Sequence, residues 1–145
     1  MEGIDFKETF AHVARLEAII MFLEFSCYNN SRVYWMDVKY AFLNGELQEE
    51  VYVEQLEGFL LSKNRNHVWK LKKALYGLKR APRAWFSRLD NYLKQQGYIR
   101  GGMDSNLYIK FENKNMIIFV VYVDDIILGS DIQIMSVNFA SEMKK

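Results

Sequence analysis

From Met116 to Gly129 the chain reads MIIFVVYVDDIILG, an apolar run, then Asp124 and Asp125, then a second apolar run. Runs this short, bounded by polar residues, predict two buried strands rather than helices. The acids then fall at the tight turn joining the strands, where both carboxylates reach solvent or a cation without being buried. Upstream, Leu16, Ile19, Ile20 and Leu23 recur at i, i+3, i+4 and i+7, which predicts a helix over 14–27 with one apolar stripe. Asp5 and Glu8 have the spacing of a capping pair. Val33–Lys39 is rich in β-branched and aromatic residues and predicts a strand, with Asp37 near its end. Ala41-Phe42-Leu43 predicts a short helical turn stopped by Asn44-Gly45. Glu50–Glu54 alternates polar and apolar, a short exposed strand. Residues 60–66 form a polar loop, and 68–71 another short strand.

Pro82 suits the first turn of a helix, where its missing N–H costs nothing. That helix is expected to reach Gln96, with Gly97 as its stop and Trp85, Leu89, Tyr92 and Leu93 as its apolar face. Leu107–Phe111 and Met116–Tyr122 are strands joined by a hairpin turn at 112–115. Ile126–Leu128 is the next strand. Ser130 or Asp131 can cap a last helix with Ile134, Val137 and Met143 facing inward. The order predicts an α+β fold, a mostly antiparallel sheet with helices on one face.

Composition narrows the class. The 145 residues suffice for one domain. Half are hydrophobic and 15% aromatic, which excludes a disordered chain. The single cysteine, Cys27, excludes an internal disulfide and fits a reducing compartment. No apolar run approaches the ~20 residues of a membrane span, and the N-terminus has no signal pattern. Net charge is only +1, yet the charge is segregated. Nine Lys/Arg and no acid lie between Lys63 and Arg88, whereas six acids and one base lie between Asp37 and Glu57. Such a basic stretch is either a solvated face or a track for a phosphate backbone. His12 and His67 have no partner at ligand spacing and read as structural or solvent-facing. The acid pair has two readings of its own, a solvated hairpin turn or a site for a hard divalent cation, which takes carboxylate oxygens. The second needs another acid from elsewhere, and Asp37 is a candidate.

Four stretches in order carry a family resemblance. Tyr122-Val123-Asp124-Asp125 resembles the Tyr-x-Asp-Asp signature of reverse transcriptases. Trp35-Met36-Asp37-Val38-Lys39-Tyr40-Ala41-Phe42-Leu43-Asn44-Gly45 resembles the first catalytic motif of their copia-type retrotransposon branch. The middle motif is matched by Leu71 to Trp85, LKKALYGLKRAPRAW, and the helix before the first motif by Arg15-Leu16-Glu17-Ala18-Ile19. Val51-Tyr52-Val53-Glu54-Gln55 and Glu57-Gly58-Phe59 also follow the pattern. Two positions depart from it: Ala11-His12 stand where the family has Ser-Pro, and Leu56 where it has Pro.

The resemblance implies a right-hand polymerase palm with partial fingers, one domain over 1–145, truncated at both ends. Basic fingers strands before Met1, and a primer-grip hairpin, thumb and RNase H after Lys145, are then expected to be missing, as are protease and integrase motifs. It further implies RNA-directed DNA synthesis, with Asp37, Asp124 and Asp125 as catalytic and metal-binding acids and the Val38 carbonyl joining the metal shell. Two Mg²⁺ ions, or Mn²⁺ in their place, are the implied cofactors. Phe42, Tyr76 and Gly77 would line the nucleotide pocket, Phe42 as the steric gate against a ribose 2′-hydroxyl. Lys79, Arg80, Arg83 and Tyr122 would approach nucleic acid. Partners implied are an RNA or DNA template-primer, dNTPs and the rest of a Pol polyprotein, with no membrane. The expected setting is intracellular, a cytoplasmic virus-like particle or the nucleus. Against this stand an inactive element relic with at most weak nucleic-acid affinity and, more remotely, another palm-type phosphotransferase such as a nucleotide cyclase. Without fingers and thumb to bind substrate, catalysis by these 145 residues alone is not expected.

Overall fold

Along β6, Asn115–Tyr122, side chains alternate between two packed layers. Ile117, Phe119 and Val121 enter one core, and Ile118 and Val120 the other. A computed structural model describes residues 13–56, 58 and 67–143 around this strand. The expected capping pair, His12, the 60–66 loop and Phe59 lie outside the described residues.

Among the described residues the elements run α1 (Leu16–Tyr28), β1 (Arg32–Asp37), a 3₁₀ turn (Ala41–Asn44), β2 (Glu46–Val53), β3 (Trp69–Lys73), α2 (Ala81–Gln95), β4 (Ile99–Arg100), β5 (Leu107–Glu112), β6, β7 (Asp125–Ser130) and α3 (Gln133–Glu142). Five strands form one antiparallel sheet in the order β1-β7-β6-β5-β4, and β2 and β3 form a separate two-stranded ribbon. The fold is α+β and mostly antiparallel, as the pattern of elements predicts. Gly97 adopts φ +84 just past α2, the left-handed conformation expected of a glycine stop.

The helices do not share one face. Trp85, Leu89 and Leu93 of α2, and Met135 and Phe139 of α3, pack with Phe119, Val121, Ile126 and Leu128. Phe22 of α1 packs with Val120, against Ile118 and Ile127 on the opposite face. Strand alternation makes both faces of β6 and β7 apolar, so each needs a cover. The buried side of α1 also differs from the expected stripe. Phe22 and Ser26 are buried, while Leu16, Ile20 and Leu23 are exposed. Gly129 of β7 explains the rotation: a Cβ there would stand 3.1 Å from Ser26 Oγ and 3.3 Å from Phe22 Cζ, so the missing side chain leaves the space they fill.

The last helix is also phased differently from its prediction. Ile134 and Val137 are exposed, and Met135, Ser136 and Phe139 are buried, with Met143 packed at the edge of that core. Neither expected cap serves. The Asp131 carboxylate accepts the Met116 amide at 2.8 Å, and the Ser130 hydroxyl donates to the Ile132 carbonyl at 2.8 Å and meets Ser136 Oγ at 2.6 Å. The helix therefore starts at Gln133, and Phe139 sets its phase by packing 4.7 Å from the ring of Phe119. Phe119 also stacks on Tyr108 at 5.4 Å and meets the edge of Tyr98 at 5.3 Å. The buried carboxylate of Asp90 on α2 accepts hydrogen bonds from the Tyr108 hydroxyl, 2.8 Å, and Lys94, 2.7 Å.

Candidate metal and nucleotide site

Six consecutive residue pairs fix β1 on β7, from Arg32↔Ser130 to Asp37↔Asp125. Asp37, which is 87 positions from Asp124 in sequence, therefore stands directly across the ladder from Asp125. Paired side chains share a face of the sheet. One residue further on, the Val38 amide donates to the Asp124 carbonyl at 2.9 Å, extending the pairing into the turn. The Val38 carbonyl accepts the Ala41 amide at 3.1 Å, which opens the 3₁₀ turn and leaves one lone pair unused by that bond.

Tyr122 pairs with Asp125, so Val123 and Asp124 form a two-residue hairpin loop. Val123 has φ +60. A first loop residue with positive φ matches the twist of the flanking strands, but a β-branched side chain is strained there. Trp85 holds the loop in place, its indole N–H donating to the Val123 carbonyl at 3.1 Å. From the other side of the sheet, Trp35 Nε1 donates to Asp125 Oδ1 at 2.8 Å. Helix α2 also grips the segment after Asp37. A Cβ on Gly45 would lie 2.7 Å from the Trp85 backbone nitrogen, so only glycine permits that approach. Arg88 donates to the Asn44 carbonyl at 2.7 Å, and the Gly45 carbonyl accepts the Ala74 amide at 2.9 Å.

The pocket candidates are brought together in part. The Phe42 and Tyr76 rings lie 5.6 Å apart, with Phe42 half-buried against the core and Tyr76 82% exposed. Gly77 follows at φ +88, a conformation that suits glycine, with open space where a Cβ would be. At the start of α2, Lys79 is exposed, Arg83 is half-buried, and Arg80 forms an ion pair with Glu49 of β2 at 3.1 Å. That acid shares the Arg80 charge with any incoming phosphate. Tyr122 is 42% exposed at the end of β6.

Asp37 and Asp125 supply hard oxygen donors on one open face, a set suited to Mg²⁺, which takes one or two carboxylates and completes its shell with water or phosphate. Among the described residues no group of three acid, imidazole or thiolate side chains stands close enough to hold a metal ion. The loop acid Asp124 is thus joined to the pair through its backbone. Sequence reasoning placed Trp35 and Gly45 in the first motif and Trp85 in the middle motif and on the apolar face of its helix, but gave none of them a site role, and it missed Glu49 as part of this region. The period-2 spacing of Trp35 and Asp37 on one strand was the available signal. Among the described residues no helix is long and apolar enough to cross a membrane.

The family model for reverse transcriptase (RNA-dependent DNA polymerase) matches residues 1–145. The chain is 43% identical over 132 residues to the retrovirus-related Pol polyprotein from transposon TNT 1-94 of Nicotiana tabacum, covering 90% of this chain and 10% of that protein. It is 40% identical over 130 residues to the Pol polyprotein from transposon RE1 of Arabidopsis thaliana, covering 89% of this chain and 9% of that one. The chain thus spans about a tenth of the length of these curated relatives. No solved structure gives a significant match. By that family match and those transposon relatives, the chain belongs to the reverse transcriptase family, in its copia-type retrotransposon branch.

Proposed function

We propose that the chain is the palm, with part of the fingers, of an RNA-directed DNA polymerase that extends a primer 3′-hydroxyl with dNTPs. The observation that carries this reading is the β1–β7 register, which sets Asp37 across from Asp125 and ties Val38 to the Asp124 carbonyl. Asp37 and Asp125 would supply the first carboxylates to two Mg²⁺ ions, and Asp124 and the Val38 carbonyl would join them only after the turn adjusts, since no three acids among the described residues stand close enough as they are. Bound there, the metal supplies charge neutralisation and a more acidic primer hydroxyl. The chain's own residues position the reactants. Phe42, whose ring lies 5.6 Å from that of Tyr76, would be the steric gate against a ribose 2′-hydroxyl, and Gly77 would leave room for the nucleotide. Lys79, Arg80 and Arg83 offer cations to phosphate oxygens, and Tyr122 packs beside the primer end. The rest of a Pol polyprotein is the natural partner, by analogy with the relatives.

A second reading, a folded element copy that binds nucleic acid weakly and does not polymerise, is favoured by the pairing of Arg80 with Glu49, which draws that cation away from a phosphate. Primer extension on a poly(rA) template with Mg²⁺ or Mn²⁺ separates the two. The polymerase reading expects dTMP incorporation that disappears in Asp124→Asn. Incorporation absent at every protein concentration supports the second reading.

A further inference from the structure

Trp35 is 73% exposed on the edge strand β1, yet its indole nitrogen has a defined partner. In the ladder Trp35 faces Ile127 and Asp37 faces Asp125, so Asp125 is the diagonal neighbour of Trp35 on the same face. Diagonal neighbours lie within reach of a large aromatic side chain, and Trp35 Nε1 meets Asp125 Oδ1 at 2.8 Å. The bond occupies one of about four lone-pair directions of that carboxylate. Oδ2 and the remaining direction on Oδ1 stay available to a cation. The indole carries no net charge, so it fixes the carboxylate without competing as a cation would. It also gives Asp125 a donor in front of Asp37, where two carboxylates side by side otherwise repel.

We infer that Trp35 is a positioning residue for a divalent cation at this turn, holding the Asp125 carboxylate in the orientation that binds the metal. The inference rests on the metal-site reading given above. It differs from the role of Trp85, which holds the loop backbone from the buried face. Hydrogen-bond partners that orient metal ligands contribute roughly 10–100-fold to metal affinity when removed.

The test is Mn²⁺ binding to the whole chain, followed by electron paramagnetic resonance of the free ion and needing no catalysis. Trp35→Phe keeps a ring and removes the donor; Trp35→Gln restores a donor without the ring. Trp35→Phe is expected to weaken Mn²⁺ binding about 10–100-fold and Trp35→Gln to recover most of it, with unchanged circular dichroism in both. Unchanged or tighter binding in Trp35→Phe overturns the inference while leaving the metal site in place. Equal weakening in both variants overturns it too, since the ring rather than the donor then matters. Failure of the unsubstituted chain to bind Mn²⁺ overturns the metal-site reading itself and the inference with it.

Discussion

Beneath α2 and α3 the sheet is sealed by large side chains, with Phe119, Tyr108, Leu93, Ile126 and Leu128 all fully buried. Across the sheet the α1 side buries little beyond Ala14, Phe22 and Val120, and leaves Trp35, Val33 and the Asp37–Asp125 pair open. The same strands serve both faces, so the difference lies in which residues occupy alternate positions. The sealed face supplies rigidity: Trp85 and Gly45 join α2 to both acid-bearing segments. The open face supplies access. Turns carried by a rigid scaffold are where functional residues are disproportionately found.

Three measurements test this contrast. The largest effect is expected at Phe119, whose ring meets three other aromatic rings. Phe119→Ala should lose about 3–5 kcal/mol in urea unfolding. A loss near zero would mean the sealed face is not what holds the fold.

The next effect is a pH dependence at Asp90. Burial pushes its carboxyl up, but the hydrogen bonds from Lys94 and Tyr108 and the Arg100 charge outweigh it and hold it below its ordinary 3.8. The unfolded chain then binds the proton more readily. The stabilisation is fully present above pH 3.8 and is lost as pH falls through the lower folded value. Midpoints measured against pH in the unsubstituted chain and Asp90→Asn should converge only in that acid range; parallel curves would contradict it. Burial, reinforced by the Asp90 hydrogen bond, raises the Tyr108 hydroxyl, which stays protonated as the donor throughout.

The smallest effect belongs to the outer side of α1. Met21 is exposed there beside Leu16 and Phe25. Met21→Glu should change stability by no more than about 0.5 kcal/mol. A larger loss would show that this side is covered in the folded chain.

How much of this was legible in the sequence follows from range. Strand alternation, the α2 face and the Gly97 stop depend on neighbours within a few residues, and these were readable. The rotation of α1 depends on a glycine more than a hundred positions away, and the phase of α3 on a ring in β6. Neither leaves a local trace. At the candidate site, resemblance named the acids, but whether Asp37 faces Asp124 or Asp125 depends on the register of β1 on β7, a pairing between segments far apart in the chain. The pairing of Arg80 with Glu49 was hidden for the same reason, because it depends on how β2 lies beside α2.

At the hairpin tip, glycine at position 123 would settle without strain, yet valine holds φ +60 there. A branched side chain in that conformation stores on the order of 1–3 kcal/mol. Such a conformation persists only where its surroundings over-determine it, and the Trp85 indole bonded to the Val123 carbonyl is one of the contacts that do so. The bend that carries Asp124 is thus kept by an indole on the far side of the sheet as much as by the two strands it joins.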